Sequence, residues 1–224
     1  MDALIFDFDG VIVDSEPVHF RGFQEVLGLI GVELTEQEYY RDYLGYDDHD
    51  CFKAVLVERD MGCDEQQIKA MTEAKTKFVQ QAFARSIRPL EGAVRLAREA
   101  AEAGIPVGVC SGALKREIVL AARSVGVLDA FSQIVSAEDV RKGKPDPEGY
   151  RLALARLSAS AGRKLRADRT VVIEDTPAGI EAAKAAGMKA LAITNSYPAD
   201  ALRNADKVIA SLEAVTVDSL ERLL

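Results

Sequence analysis

Cysteine is scarce in this chain, and an excess of positive charge is absent. The three cysteines, Cys51, Cys63 and Cys110, lie far apart and form no CxxC pair or Cys/His cluster. We therefore expect three reduced thiols, and neither a disulfide framework nor a structural zinc site. The net charge of −8 and the isoelectric point near 5.0 argue against a general surface for nucleic acid or for an anionic membrane.

Targeting and membrane signals are also absent. The N-terminus carries Asp2 where a secretory leader would carry basic residues, and no apolar run is long enough to span a bilayer. These absences predict a cytoplasmic protein. With 224 residues, of which 48% are hydrophobic and 29% charged, the chain has room for one large domain or for a core with a smaller insert.

The pattern of apolar residues changes twice along the chain. A short buried strand is predicted near the start, and residues 16–88 then show helical spacing with no convincing strand. Beyond that point short apolar strands alternate with helices, which predicts a parallel sheet covered on both faces. We therefore predict an α/β core formed by residues 1–15 and 89–224, interrupted by an inserted helical cap at residues 16–88.

Polar and charged side chains recur where the predicted strands end. Ligands of open parallel sheets bind beyond the carboxyl ends of the strands, so these side chains are expected to meet at one edge. Four strand-end segments supply them: Asp7-Phe8-Asp9-Gly10, Ser111-Gly112, Lys144 and Glu174-Asp175.

The chemistry of this set is complementary. Carboxylates gathered in one place raise one another's pKa, and a hard cation such as Mg²⁺ relieves the repulsion. Lys144 adds a further positive charge, and Ser111 adds a hydrogen-bond donor. Together these residue types indicate a site for a phosphoryl group beside Mg²⁺, with one carboxylate acting as the nucleophile.

Four segments of the chain form a recognisable series: "DFDGVIVDS", "CSGA", "GKPDP" and "VIEDTPAGIEAAKAAGM". They resemble, in order and at fitting intervals, the four motifs of the haloacid dehalogenase superfamily. The resemblance covers essentially the whole chain and is strongest to the branch of small phosphatases and β-phosphoglucomutase that carry a helical cap. It implies a Rossmann-like catalytic core and, as substrate, a small phosphorylated metabolite such as a sugar phosphate.

The resemblance implies catalytic roles for two aspartates. Asp7 would attack phosphorus and form an aspartyl-phosphate intermediate. Asp9 would protonate the leaving oxygen and then activate the water that hydrolyses the intermediate. Asp9 also favours a phosphatase or phosphomutase, because the dehalogenases of the superfamily lack an aspartate at that position.

Binding roles are implied for the remaining strand-end residues. Those that would hold the phosphoryl oxygens are Ser111, Gly112 and Lys144. Those that would bind or support Mg²⁺ are Asp7, the backbone carbonyl of Asp9, Glu174 and Asp175. Two alternatives stay open at this point, because Ser111 could simply cap the following helix and Glu174 could only brace its loop.

The predicted cap offers two candidate substrate contacts, His19 and Lys77, and each could equally be an ordinary residue on a helix surface. β-Phosphoglucomutase grips its second phosphate with a cap arginine. The matching segment here, "LGYDDHDCF", carries Asp47 and Asp48, which would repel a phosphate. We therefore expect a phosphatase. The alternatives are a phosphomutase that uses other cap residues, Lys77 among them, and a non-catalytic protein that binds phosphorylated ligands.

Overall fold

The computed structural model describes residues 1–62, 64–85 and 87–224, and the chain divides into two units. Unit 1 comprises Met1–Asp14 and Ile87–Leu224, and unit 2 comprises Ser15–Ser86. Cys51 and Cys110 are buried free thiols, whereas Cys63 lies outside the described residues. No helix in the described ranges is both long and apolar enough to cross a membrane.

Every strand in the described part of the chain belongs to unit 1. In chain order they are β1 (Ala3–Phe6), β2 (Val13–Asp14), β3 (Arg88–Pro89), β4 (Val107–Cys110), β5 (Gln133–Val135), β6 (Thr170–Glu174), β7 (Lys189–Ile193) and β8 (Lys207–Ile209). Six of them form one parallel sheet in the spatial order β5-β4-β1-β6-β7-β8. The predicted parallel α/β core is therefore confirmed, and β1 occupies a central position in its sheet.

The helices are divided between the units. In unit 2 they are α1 (Glu16–Gly28), α2 (Glu36–Glu38), α3 (Asp48–Glu58) and α4 (Glu65–Arg85), with a π-helical turn at Tyr39–Tyr43. In unit 1 they are α5 (Glu91–Glu102), α6 (Lys115–Ser124), α7 (Glu148–Ala161), α8 (Pro177–Ala185) and α9 (Val217–Glu221). Short 3₁₀ turns lie at Leu128–Ala130, Ala137–Asp139, Ala167–Arg169 and Ala199–Leu202.

Burial on both faces explains the uninterrupted apolar sequence of β1. Ala3 and Ile5 belong to the hydrophobic cluster that contains Leu157 of α7 and Ile180 of α8. The intervening residues, which the alternation of a strand directs to the opposite face, are also fully buried. Both faces of the sheet are covered and closed to water. Charged groups can therefore gather only at its edge, where the strands reach their carboxyl ends.

A two-stranded ribbon lies beside this sheet in unit 1. β2 and β3 pair in antiparallel fashion, with Val13 opposite Pro89 and Asp14 opposite Arg88. Arg88 Nη1 also lies 3.2 Å from Asp14 Oδ2. The sequence pattern predicts only helix up to residue 88, and the structure differs there because two residues are too few to show a strand's period of two.

Unit 2 has its own hydrophobic core. Phe20 and Phe23 of α1 join Phe52 and Val55 of α3 in one buried cluster. The N-terminus of α3 is capped by Asp47, whose side chain accepts a hydrogen bond from Asp50 N at 2.8 Å. Asp47 therefore has a structural role as a helix cap within this unit.

Candidate active site

The carboxyl edge of the sheet gathers three buried carboxylates. Asp7 directly follows β1, while Glu174 and Asp175 stand at the end of the adjacent strand β6. Asp7 N donates to Ile173 O at 2.9 Å, which keeps the nucleophile candidate in register with β6. One oxygen from each carboxylate lies within 4.8 Å of the others. Their exposed fractions are 6% for Asp7, 0% for Glu174 and 1% for Asp175.

Lys144 is the cation that faces these carboxylates. Its Nζ lies 2.7 Å from Asp7 Oδ1 and 2.5 Å from Glu174 Oε1. The loop that carries Lys144 is held by Glu148, whose carboxylate accepts hydrogen bonds from Arg141 N at 3.2 Å and Lys142 N at 3.1 Å. The lysine predicted from "GKPDP" is thus positioned by backbone hydrogen bonds and paired with two acids.

Both oxygens of Glu174 are occupied by protein donors. Oε1 accepts from Lys144 and from the Tyr150 hydroxyl at 2.9 Å. Oε2 accepts from Asp175 N, Thr176 N and Thr176 Oγ1 at 2.9, 3.0 and 2.9 Å. A Cβ on Gly179 would lie 1.6 Å from Oε1, so only glycine leaves room for this carboxylate. Glu174 is therefore built into the N-terminus of α8 and braces the site.

Burial and mutual charge set the pKa values of this cluster. Burial raises the pKa of Asp7 well above its usual value, and the nearby Glu174 and Asp175 add to the shift against the opposing effect of Lys144. Burial followed by the charge of Glu174 raises the pKa of Asp175 to about 7. Burial would also raise the pKa of Glu174, but Lys144 and the hydrogen bonds to that carboxylate lower it overall.

The same balance keeps Lys144 charged. Burial alone would lower the pKa of Lys144, but the carboxylates of Asp7 and Glu174 outweigh it and raise that pKa well above its usual value. Among the described residues, Lys144 forms ion pairs with Asp7 and Glu174, and Asp175 is the third carboxylate of the cluster. One ammonium does not balance three carboxylates, so a further cation would stabilise the cluster.

The residues present fit Mg²⁺. Every candidate ligand in the cluster is a carboxylate oxygen, the donor type that this hard cation prefers. Asp175 Oδ1 is buried, and no hydrogen-bond donor reaches it within the described part of the chain. A buried carboxylate oxygen without a partner is costly unless a cation approaches it. Asp175 is thus the clearest candidate for a direct metal ligand.

Ser111 and Gly112 follow β4 at the same edge. The Ser111 hydroxyl donates to Asp9 Oδ2 at 3.3 Å and accepts from Ala113 N at 3.0 Å, so it stabilises its own turn and also contacts Asp9. Ser111, Gly112 and Lys144 line a cavity of about 220 Å³. The structure therefore brings the predicted phosphoryl-binding residues to one opening, beside the predicted acid Asp9.

The two candidate substrate contacts of unit 2, His19 and Lys77, differ in their exposure to solvent. Lys77 is exposed on α4. His19 is half-buried, and its Nδ1 lies 3.0 Å from Lys75 Nζ. Lys75 itself is only 1% exposed, forms an ion pair with Asp48, and lies 4.0 Å above the ring of Phe23. Burial and the Lys75 ammonium lower the pKa of His19 to about 3, so this imidazole is neutral at physiological pH.

Lys75 is a residue that the sequence reasoning missed. Its position on α4 falls in the buried stripe formed by Ile68, Val79 and Phe83, at spacings of seven, four and eight residues from Lys75. A lysine within an apolar stripe is unusual, because a buried ammonium requires a partner. This lysine in an otherwise apolar stripe is a feature of the sequence that indicates a buried, paired ammonium. It distinguishes Lys75 from the exposed Lys77.

The comparisons with known proteins agree with this geometry. The chain matches the sequence profile of haloacid dehalogenase-like hydrolases over residues 4–193, which include all four motifs at the carboxyl edge. The chain belongs to the haloacid dehalogenase-like hydrolase family. The family resemblance predicted from the motifs is therefore confirmed. In this haloacid dehalogenase-like hydrolase the aspartates and Ser111 follow strand ends, whereas Lys144 lies in the loop between β5 and α7, nine residues beyond the strand.

Individual relatives of this hydrolase include both phosphatases and a mutase. The phosphorylated carbohydrates phosphatase of Thermotoga maritima is 30% identical over 190 residues, which are 84% of this chain and 83% of that protein. The β-phosphoglucomutase of Bacillus subtilis is 28% identical over 227 residues, 98% of this chain and 94% of that protein. The crystal structure of CbbY from Rhodobacter sphaeroides in complex with phosphate superimposes with a TM-score of 0.85 at 25% identity and covers 99% of each chain. This hydrolase is therefore an enzyme of phosphatase or phosphomutase type.

Proposed function

We propose that the protein is a Mg²⁺-dependent phosphatase that hydrolyses a small phosphorylated sugar through an aspartyl-phosphate on Asp7. One observation carries the proposal. Asp7 is buried against the Lys144 ammonium, and Asp9, two residues later, accepts a hydrogen bond from Ser111. A binding protein would need the cation and the hydroxyl, but it would not need a nucleophile followed by a second carboxyl group suited to proton transfer.

The proposed reaction has two displacements at phosphorus. A carboxylate oxygen of Asp7 bonds to phosphorus as the bond to the sugar oxygen breaks, and Asp9 gives that oxygen its proton. Water then attacks the aspartyl-phosphate, Asp9 takes the proton of the water, and inorganic phosphate leaves with the Asp7 carboxylate restored. Lys144 and Ser111 stabilise the charge on the phosphoryl oxygens during both steps.

The residues proposed to hold Mg²⁺ are Asp7, the backbone carbonyl of Asp9 and Asp175, with Glu174 as the support. When bound, the cation would offset the negative charge of the phosphoryl oxygens and of the neighbouring carboxylates. Glu174 fits a supporting role because its two oxygens are already engaged by Lys144, Tyr150, Asp175 and Thr176.

A phosphomutase remains the second candidate, because a β-phosphoglucomutase is among the relatives. A mutase must hold a second phosphate, which requires a cation with charge to spare. In unit 2, Lys75 is buried and paired with Asp48, and Asp47 caps α3. These contacts favour the phosphatase. A mutase function would depend on other residues of unit 2, the exposed Lys77 among them.

The proposed function predicts release of inorganic phosphate from sugar monophosphates. The purified protein is incubated with Mg²⁺ and a panel of phosphorylated metabolites that includes β-glucose 1-phosphate with a trace of the bisphosphate. Free phosphate and isomerised sugar phosphate are measured in the same samples. We expect phosphate release that stops when Mg²⁺ is removed by a chelator. Isomerised product with little free phosphate would show a mutase, and no turnover at all would support a non-catalytic binding protein.

Mg²⁺ is also expected to stabilise the fold in a pH-dependent way. The folded-state pKa of Asp175 is raised from 3.8 to about 7, so the metal-free protein loses stability as the pH rises through this interval. At pH 8 we expect Mg²⁺ at about 100 times its dissociation constant to add about 2.7 kcal/mol. That gain corresponds to a rise in Tm of about 5–10 °C. At pH 5 the rise should be smaller, because protons compete with the metal.

Differential scanning fluorimetry with and without Mg²⁺ at the two pH values measures this effect. Asp175→Asn is the control, because it removes the titrating group and the candidate ligand together. An equal Mg²⁺ shift at pH 5 and pH 8, or a full shift in Asp175→Asn, would contradict this account of the metal site.

A further inference from the structure

The loop that follows β7 carries two polar side chains, Asn195 and Ser196, for which the proposed reaction has no use. β7 is the neighbour of β6, so its carboxyl end reaches the same edge of the sheet as Asp175. Thr194 N donates to Ile209 O at 3.1 Å, which anchors the start of the loop to β8. Asn195 and Ser196 therefore project from an anchored position next to the candidate metal site.

Ser196 contacts one oxygen of Asp175 and leaves the other available. Its hydroxyl donates a hydrogen bond to Asp175 Oδ2. The second oxygen, Oδ1, is buried and has no hydrogen-bond partner among the residues that the structure describes. A carboxylate anchored through one oxygen keeps a defined rotation about its Cβ–Cγ bond, and the remaining oxygen is the one that a cation can use.

Asn195 connects the same loop to the turn after the nucleophile. Its Nδ2 donates to Gly10 O at 2.8 Å. Gly10 has a φ of +71°, and a Cβ at this position would lie 2.0 Å from Asp175 Oδ2 and 2.9 Å from Ser196 Oγ. The turn at Gly10, the carboxylate of Asp175 and the loop after β7 are therefore in direct contact. Asn195 connects the loop to the turn through its hydrogen bond.

We infer that Ser196 is a positioning residue for Mg²⁺, which acts by orienting Asp175, and that Asn195 supports it by holding Gly10 against the same carboxylate. This inference rests on the proposed function, since it concerns the metal of the proposed reaction. Partners of this kind behind a metal ligand set its orientation, and their loss typically weakens metal binding by about 10–100-fold.

Mn²⁺ binding to the intact 224-residue chain, measured by electron paramagnetic resonance without any substrate, tests the inference. Ser196→Ala is expected to raise the Mn²⁺ dissociation constant by about 10–100-fold. Ser196→Thr keeps a hydroxyl and should restore most of the affinity. Ser158→Ala is the matched control, because Ser158 is also half-buried and its hydroxyl donates to Leu154 O at 2.8 Å in α7, away from the carboxylates. It should bind Mn²⁺ like the wild type.

A steady-state measurement separates positioning from a loss of folded protein. In Ser196→Ala the Mg²⁺ concentration for half-maximal rate should rise, while kcat at saturating Mg²⁺ stays near that of the wild type. Asn195→Ala alters an exposed side chain and should weaken Mn²⁺ binding by a smaller factor, so it serves as the test if Ser196→Ala fails to fold.

The outcomes distinguish this inference from the proposed function. If Ser196→Ala binds Mn²⁺ as tightly as the wild type, the positioning role is wrong, but the proposed metal site of the wild type is not affected. The same conclusion follows from Asn195→Ala if that variant is used instead. A wild-type protein that binds no Mn²⁺, or that releases phosphate at full rate without a divalent cation, would overturn the proposed metal dependence itself.

Discussion

Replacing Asp7 by asparagine should lower kcat for phosphate release by about 10⁴-fold or more, because an amide cannot replace the carboxylate as nucleophile. The fold should survive the change. Asparagine has nearly the same shape, and Asp7 is only 6% exposed, where burial disfavours the charged form. The variant still retains Lys144 and Ser111, so it should bind phosphorylated sugars while failing to turn them over.

Three measurements test this prediction: phosphate release for turnover, Tm for the fold, and covalent labelling for the intermediate. Wild-type protein quenched during turnover should carry a phosphoryl label that hydroxylamine removes, whereas Asp7→Asn should carry none. Asp168→Asn is the control, because Asp168 pairs with Arg166 at a surface where both side chains are 62% exposed. Turnover within a few-fold of the wild type in Asp7→Asn would exclude Asp7 as the nucleophile.

Removing Asp48 should destabilise unit 2 more than removing its partner Lys75. Lys75 has a side-chain exposure of 1% and Asp48 one of 31%, so only the carboxylate can regain water when the pair is broken. Asp48→Ala leaves a buried ammonium without a counterion and should cost about 3 kcal/mol of unfolding free energy. The neighbouring His19 cannot serve as counterion, because a neutral imidazole carries no negative charge.

Lys75→Met should cost about 1 kcal/mol or less, because an apolar side chain of similar length fills the site beside Phe23. In the Lys75→Met background, Asp48→Ala should then be nearly neutral. Urea denaturation of the single and double variants, followed by circular dichroism, measures the four free energies. Asp42→Ala is the control, since Asp42 pairs with Arg41 at the surface. Equal and additive costs for the two single variants would show that the ion pair does not control the stability.

Much of the core site could be predicted from sequence because its residues are tied to strand ends. Asp7, Glu174 and Asp175 each stand at or directly after an apolar strand, and a parallel sheet must bring such ends to one edge. Lys144 was expected beside them because its segment follows a predicted strand, and it lies in the loop between β5 and α7. The structure brings all four together, while their catalytic and metal-binding roles remain predictions.

Other residues depend on contacts between segments that no local pattern encodes. Ser196 meets Asp175 only because β7 pairs with β6, and an isolated serine after a strand looks the same in sequence whether it contacts an acid or water. The apolar stripe of α4 indicates that Lys75 is buried, but its pairing with Asp48 of α3 arises only when the two helices pack together. In the ribbon of β2 and β3, each strand contributes only two residues, and the paired residues lie more than 70 positions apart in the sequence.

By itself the sequence determined the α/β class and the family, and it predicted which residues react, because hydrophobic periodicity and strand-end motifs are local properties of the chain. Only the tertiary structure decided which oxygen of Asp175 accepts a hydrogen bond from Ser196, that both oxygens of Glu174 accept hydrogen bonds from neighbouring residues, and that Asp48 is paired with a buried lysine. Those facts depend on burial and on side chains from distant segments, and both arise only when the chain is folded.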